Sequence, residues 1–278
     1  HLASQQPLSI HDADDHAVVS SALSSPAEPS LNSPSSVDIK ASRGFHRSHI
    51  AIAASIILAI VYIYGNEVII SLKADYTTRA AETRSIVLDS DVGVELDAAS
   101  ALSVNANNKA YQVTLLKGGA YFNVKAKEAR PVIVLKGAIA VHVIGTAFEV
   151  RSTALGVAVS VTKGTVRIAA VNSQYIEPII LSGGQKVTFG DDGRRVTAIN
   201  SINAADIASW RRKQLVAKDW LARDVFDTLK RHHGGTIILG AWRFKKHRMT
   251  GVYDLKQPDK ALRLFAATQG LRYRRLIG

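Results

Sequence analysis

The chain has 278 residues, 35 Lys/Arg against 23 Asp/Glu, a formal net charge of +12 and no cysteine. That length allows roughly two folded domains, and the missing cysteine excludes disulfides, thiolate metal sites and a cysteine nucleophile. A strongly basic chain raises nucleic acid or an anionic surface as a partner, but residues 209–278 hold 17 Lys/Arg and 5 Asp/Glu, so the whole excess sits there and the remainder is neutral.

Residues 1–48 are rich in Ser, Pro, Ala and Asp, include SSALSSPAEPSLNSPSS and show no hydrophobic period. Such a segment buries too little apolar area to offset its chain entropy, and it reads as a disordered cytoplasmic linker. The chain starts at His1, and further sequence upstream is expected. From Ile50 to Gly65 there are 16 residues without a charge. Extended to 49–72, past Asn66-Glu67 and with Tyr62 and Tyr64 as interfacial aromatics, the stretch predicts one transmembrane helix. Lys40, Arg43 and Arg47 precede it, which puts the N-terminus in the cytoplasm and the chain after Lys73 beyond the inner membrane. No A-x-A-like site follows the run, which argues against a cleaved signal peptide.

Over 74–200 the hydrophobic period becomes two. RSIVLD, GVELDA, YQVTLLKG, AYFNVKA, RPVIVLKG, AIAVHVIG, TAFEVRS, GVAVSVTKG, TVRIAAV, PIILSGGQKVTFG and RRVTAI read as short strands punctuated by Gly, Asn or Asp. This predicts an all-β unit, a sandwich or a solenoid-like sheet. DAASAL alone looks like one tight helical turn. Over 203–278 the pattern changes again. AADIASWRRKQLVAKD reads as a short helix running into a strand, ARDVFDTLKRHH as a helix ending at Gly234-Gly235, and PDKALRLFAATQG as a helix opened by Pro258 and Asp259. With TIILG, MTGVYDL and LRYRRLI as strands, the order is β-α-β-β-α-β, a small α+β domain.

The stretches VELDAASALSV, VTLLKGGAYFNV, ARPVIVLKGAIAVHVIGTAFEVR, VSVTKGTVRIAA, LSGGQKVTF, ASWRRKQLV and RMTGVYDLKQPDKALRLFAATQGLRYRR stand in one order over roughly 200 residues. With the apolar run before them, they resemble FecR-type regulators, the transmembrane anti-sigma proteins of cell-surface signalling. The C-terminal part is similar to the short N-terminal domain of secretins and TonB-dependent receptors. The resemblance implies a single-pass inner-membrane protein with periplasmic C-terminal domains. Its partners would be an extracytoplasmic-function sigma factor and the signalling domain of a TonB-dependent outer-membrane receptor loaded with its iron carrier, with release by staged proteolysis. Two features depart from that pattern. The family's cytoplasmic helical domain has no counterpart in residues 1–48, so the sigma-factor-binding region would lie upstream of His1, be absent, or be encoded separately. The family's Pro-Asp-Gly-Ser-like turn is replaced by LDSDVGVEL, with Asp89, Ser90, Asp91 and Gly93.

Four groups of residues invite a chemical reading. Gly145-Thr146 interrupts a strand-like run, where Gly marks a bulge, a corner or a close backbone approach. The resemblance adds self-cleavage at this bond, with the Thr146 hydroxyl as nucleophile and His142 nearby in sequence as a base. Trp210, Leu215, Trp220, Tyr253 and Leu255 read as core or partner surface, and Arg243, Lys245, Lys246 and Arg248 as a steering rim. WRRK, RFKKHR and RYRR are basic enough for phosphate contacts, but no helix-turn-helix, zinc-finger or RNA-binding fingerprint accompanies them. His232, His233 and His247 are possible ligands, although His-His-Gly-Gly at a helix end more simply caps that helix. G-x-S-x-G, the P-loop, H-E-x-x-H and G-x-G-x-x-G are absent. Beyond self-cleavage, neither a further enzymatic activity nor a cofactor is expected. A periplasmic envelope-associated scaffold and a basic nucleic-acid-binding protein are the alternative readings.

Overall fold

The computed structural model describes residues 55, 65, 67–106, 110–126, 131–171, 177–195, 197–235, 237–239, 247–271 and 273–275. Residues 1–48 and most of 49–64 lie outside these, and with them most of the expected membrane span. Residues 67–73 are helical. Among the described residues no helix is long and apolar enough to cross a membrane.

Fourteen strands follow, in two seven-stranded sheets. The first sheet holds β1 (Tyr76–Thr77), β4 (Ala101–Ala106), β5 (Tyr111–Lys117), β7 (Val132–Lys136), β8 (Ile139–Val143), β11 (Thr165–Ala170) and β12 (Ile179–Ser182), in that spatial order. The second runs β14 (Asn200–Ser201), β13 (Gln185–Phe189), β10 (Gly156–Lys163), β9 (Ala147–Thr153), β6 (Gly119–Val124), β3 (Val92–Leu96) and β2 (Arg84–Asp89). Of the two forms that the period-two pattern allows, a sandwich or a solenoid-like sheet, this is the sandwich. Pairing is antiparallel except between β5 and β7. One apolar core fills the space between the sheets, with Leu102, Val113, Leu115 and Val141 from the first and Val94, Leu96, Phe122, Phe148 and Val159 from the second. Phe122 and Phe148 face each other in register across β6 and β9, their rings stacked at 5.1 Å.

The chain changes sheets repeatedly, and small residues mark the crossings. Gly118 separates β5 from β6, Gly145-Thr146 separates β8 from β9, Gly164 separates β10 from β11, and Gly183-Gly184 separates β12 from β13. Neighbouring corners stack closely. A Cβ on Gly164 would stand 2.8 Å from Thr146 Cγ2 and 2.9 Å from the Gly145 carbonyl oxygen. The LDSDVGVEL turn forms a tight β2–β3 hairpin at Ser90-Asp91, where Ser90 N donates to Asp89 Oδ1 at 2.6 Å.

Two local expectations fail. DAASAL makes a turn at 98–99 and enters β4 directly, because Thr78 Oγ1 donates to the Asp97 carbonyl and accepts from Ser100 N, taking the groups a helical turn would pair. RRVTAI contributes only an isolated bridge from Arg195 to Phe189 and leads into the two-residue β14.

After Asn203 come two 3-10 turns, Ala204–Asp206 and Ser209–Arg212, where a helix was expected. Asn203 caps the first by accepting from Ala205 N at 2.9 Å. The remaining order is β15 (Gln214–Leu221), α1 (Ala222–His233), β16 (Ile237–Leu239), β17 (Arg248–Asp254), α2 (Pro258–Thr268) and β18 (Tyr273–Arg275). β15 pairs with β17 and β16 with β18, all antiparallel. Val225 and Leu229 of α1 pack with Leu262 and Phe265 of α2 in a second apolar cluster. That cluster also takes in Tyr121, from the outer face of the second sheet. The C-terminal unit therefore covers a sheet face that a free-standing sandwich would leave in water.

Candidate functional site

The covering shows in the sequence of β9. Phe148 and Val150 point into the sandwich, so Glu149 and Arg151 must point out. Both are nevertheless only 5% exposed. Charges at that burial need partners, and the C-terminal unit supplies the contacts, a hydrogen bond to Glu149 and an aromatic ring over Arg151.

The WRRK cluster supplies most of them. Trp210 Nε1 donates to Glu149 Oε1 at 2.8 Å. Arg211 Nε donates to Glu95 Oε1 at 2.7 Å, and its guanidinium stacks 3.9 Å over the Tyr121 ring. Arg212 donates to the Ala205 carbonyl, and Lys213 Nζ donates to Thr83 Oγ1 at 3.0 Å. The left-handed residues Ala208 and Lys213 bracket this 3-10 turn and aim its side chains at the sheet. Basic residues that read as a phosphate-binding run thus hold the chain's own sheet.

Helix α1 adds a second set. Asp97, at the end of β3, accepts from Ala98 N at 2.8 Å, from His232 Nε2 at 2.9 Å and from Arg231 at 3.3 Å. Asp224 Oδ1 accepts from Ala154 N in the β9–β10 turn at 2.6 Å. His233 turns the other way, its Nε2 3.0 Å from Asp259 Oδ1 of α2, which also accepts from the Tyr273 hydroxyl at 2.6 Å. The paired histidines serve two carboxylates on opposite sides, and the helix ends at Gly234 with φ 75°. No group of three or more metal-ligating side chains exists among the described residues.

Trp210, Leu215, Tyr253 and Leu255 are buried in the second cluster and present no surface. Trp220 is half-buried at the seam, its ring 3.7 Å from the Arg151 guanidinium. Arg248 is exposed and donates to the Asp219 carbonyl and carboxylate at 2.7 and 2.9 Å. Arg243, Lys245 and Lys246 lie outside the described residues. Sequence reasoning missed Asp97, Glu149, Arg151, Asp224 and Arg231. The one available signal was a Glu and an Arg alternating with core residues in FEVR.

Gly145 has φ 66°, a left-handed conformation, and a Cβ there would meet Ala126 Cβ at 2.7 Å. Thr146 is 2% exposed, its carbonyl accepts from Val124 N at 2.9 Å, and its Oγ1 has no hydrogen-bond partner among the described residues. His142 sits on the outer face of the first sheet, in register with Ile133 and Arg167 and flanked by core-facing Val141 and Val143. It is not placed to act on Thr146.

Comparison with known proteins matches the same region. The family model described as FecR protein covers residues 74–167. A candidate anti-sigma factor from Parabacteroides distasonis, solved in two crystal structures, shares the fold at TM-score 0.63 and 22% identity. One structure aligns over 73% of this chain and 94% of its own, the other over 72% and 93%. A search of curated proteins gave no match. Over residues 74–167, sandwich and family model coincide, and this part of the chain is similar to FecR proteins.

Proposed function

We propose that the chain is a single-pass inner-membrane regulator of sigma-factor signalling, with its sandwich and C-terminal unit in the periplasm. The carrying observation is the FecR match together with a fold shared, over nearly three quarters of the chain, with a candidate anti-sigma factor. Val68, Ile69 and Leu72 of the helical stretch before β1 are each more than half exposed, as suits the end of a membrane helix. The finer reading is a response to the signalling domain of a TonB-dependent receptor. The exposed Arg248 and Val252, on one face of β17, offer that partner a basic and apolar surface. Two measurements test the proposal. A reporter fused after Gly278 should be active only in the periplasm, and cytoplasmic activity would overturn the topology. Deletion of the gene should change transcription from promoters of a co-encoded sigma factor, and unchanged transcription would overturn the regulatory role.

A second reading, self-cleavage, is favoured by the left-handed Gly145 next to a buried Thr146 hydroxyl that has no hydrogen-bond partner among the described residues. Thr146 Oγ attacks the Gly145 carbonyl carbon and the Gly–Thr C–N bond breaks. The nitrogen takes the hydroxyl proton, leaving an ester that water hydrolyses to two chains. Intact-mass analysis should find pieces ending at Gly145 and starting at Thr146, and Thr146→Ala should abolish them. An unbroken wild-type chain would refute this reading.

A further inference from the structure

A cleft of about 400 Å³ opens where the sandwich meets the C-terminal unit. Strands β9 and β13 contribute Arg151 and Lys186, β15 contributes Lys218 and Trp220, β17 contributes Arg248, and Thr188 adds a hydroxyl. That volume lies in the range of small-ligand sites, roughly 300–1,000 Å³.

The cations in this cleft are not equivalent. Lys218 Nζ is 2.7 Å from Asp206, and Arg248 is 2.9 Å from Asp219. Arg151 and Lys186 have no such partner. Among the described residues their charged nitrogens make neither a hydrogen bond nor an ion pair, and what they share is the Trp220 ring, 3.7 Å from the guanidinium and 5.2 Å from the amine. The nearby carboxylates are turned to other donors, Glu149 to Trp210 Nε1 and Asp224 to Ala154 N. Arg151 is only 5% exposed, and burial outweighs the pull of Glu149, Asp224 and Asp97, carboxylates that act on its charge without a hydrogen bond or ion pair to it among the described residues.

The backbone aims Trp220 at these two cations. The β15–β17 register shifts between Ala217 and Trp220, and Asp219 within that bulge holds φ 55°. Bulges redirect side chains beside functional sites. Here the bulge is pinned by Arg248 on the Asp219 carbonyl and by Thr250 Oγ1, which accepts from Asp219 N at 3.1 Å. Two unpaired cations are thus fixed around one aromatic ring, with a neutral hydroxyl donor beside them.

We infer that this seam cleft binds a small oxyanion, a carboxylate- or phosphate-bearing molecule, held by Arg151 and Lys186 across Trp220. Arg151 presents a planar donor fork suited to two oxygens, and Lys186 adds a point charge. Burial, and then the neighbouring Arg151 charge, pulls the Lys186 amine down to about 8, and an anion relieves both effects. The ligand bridges the two units, so its binding stabilises their docked arrangement. The inference does not depend on the regulatory role.

Calorimetric titration of the purified full chain with inorganic phosphate and with succinate tests it and separates the two chemistries. At least one of them should bind, saturating below about 10 mM, and should raise the melting temperature of the wild type. Arg151→Gln and Lys186→Gln should each weaken that affinity by about tenfold or more, while Lys256→Gln, a control outside the cleft, leaves it unchanged. Lys186 is the safer variant because it is less buried, and its circular dichroism checks that the fold is kept. No heat with either anion, or wild-type affinity in a folded Lys186→Gln protein, would overturn the assignment.

Discussion

Replacing Asp97 by Ala removes one carboxylate and leaves Arg231 and His232 without their shared acceptor. The side chain is 3% exposed and accepts from Ala98 N, His232 Nε2 and Arg231. Breaking a buried charge pair from one side costs about 3–5 kcal/mol. One feature puts this case at the low end: Arg231, whose side chain is 17% exposed, keeps Thr228 Oγ1 at 3.3 Å. The expected loss is about 3 kcal/mol, which for a folded region near 200 residues lowers the melting temperature by roughly 6–12 °C. Asp97→Asn keeps an acceptor and should lose about half as much. Thermal unfolding followed by tryptophan fluorescence gives the size, and amide exchange gives the place. Protection should fall in α1 before it falls in β8 and β9, because the lost bonds join the two units and leave the sandwich core intact. A loss below about 1 kcal/mol for Asp97→Ala, or equal loss of protection in sandwich and helix, would refute the argument that Asp97 fastens the seam.

Trp210→Phe keeps the ring but leaves Glu149 without its donor, and should cost about 1–3 kcal/mol in urea unfolding. Gly145→Ala places a Cβ 2.7 Å from Ala126 in a left-handed conformation, and should cost about 2–3 kcal/mol by the same measurement. Burial, then the Arg151 charge, pulls Lys186 from the ordinary lysine value of 10.5 down to about 8, so the unfolded chain binds more protons between those values and stability should rise with pH across that window. Below about pH 8 the full penalty applies, on the order of 3 kcal/mol, and Lys186→Met should remove this rise when its pH–stability curve is subtracted from that of the wild type.

The strands were legible because alternation carries through β2 to β13. RSIVLD is β2 residue for residue, and YQVTLLK is β5. The sheet to which each strand belongs was not legible, since Gly118, Gly145 and Gly164 look alike in sequence whether they close a hairpin or pass the chain to the facing sheet. DAASAL misled for a related reason. Its composition favours a helical turn, and the pairing that prevents one comes from Thr78, some twenty residues earlier. Basic clusters misled most. WRRK is a solvated charge run by any local criterion, and its meaning appears only when Glu95, Glu149 and Thr83 are brought beneath it by a chain more than sixty residues away.

The chemistry of the seam sets how the two units hold together. On the sandwich side the apolar share of the contact is small, chiefly Tyr121 with part of Ala147. The rest consists of oriented pairs: Glu95 with Arg211, Glu149 with Trp210, Asp97 with His232 and Arg231, and Asp224 with the Ala154 amide. Apolar area would stabilise docking in many orientations, whereas these pairs need matching direction and distance, so they select one. They also fail together. Losing one strands a buried charge and weakens its neighbours through the shared field, so the docked arrangement is unique in geometry and sensitive to a single perturbed pair. Arg151 stands at the centre of this network without a carboxylate of its own, which makes it the position where an added anion would change the balance of the whole seam.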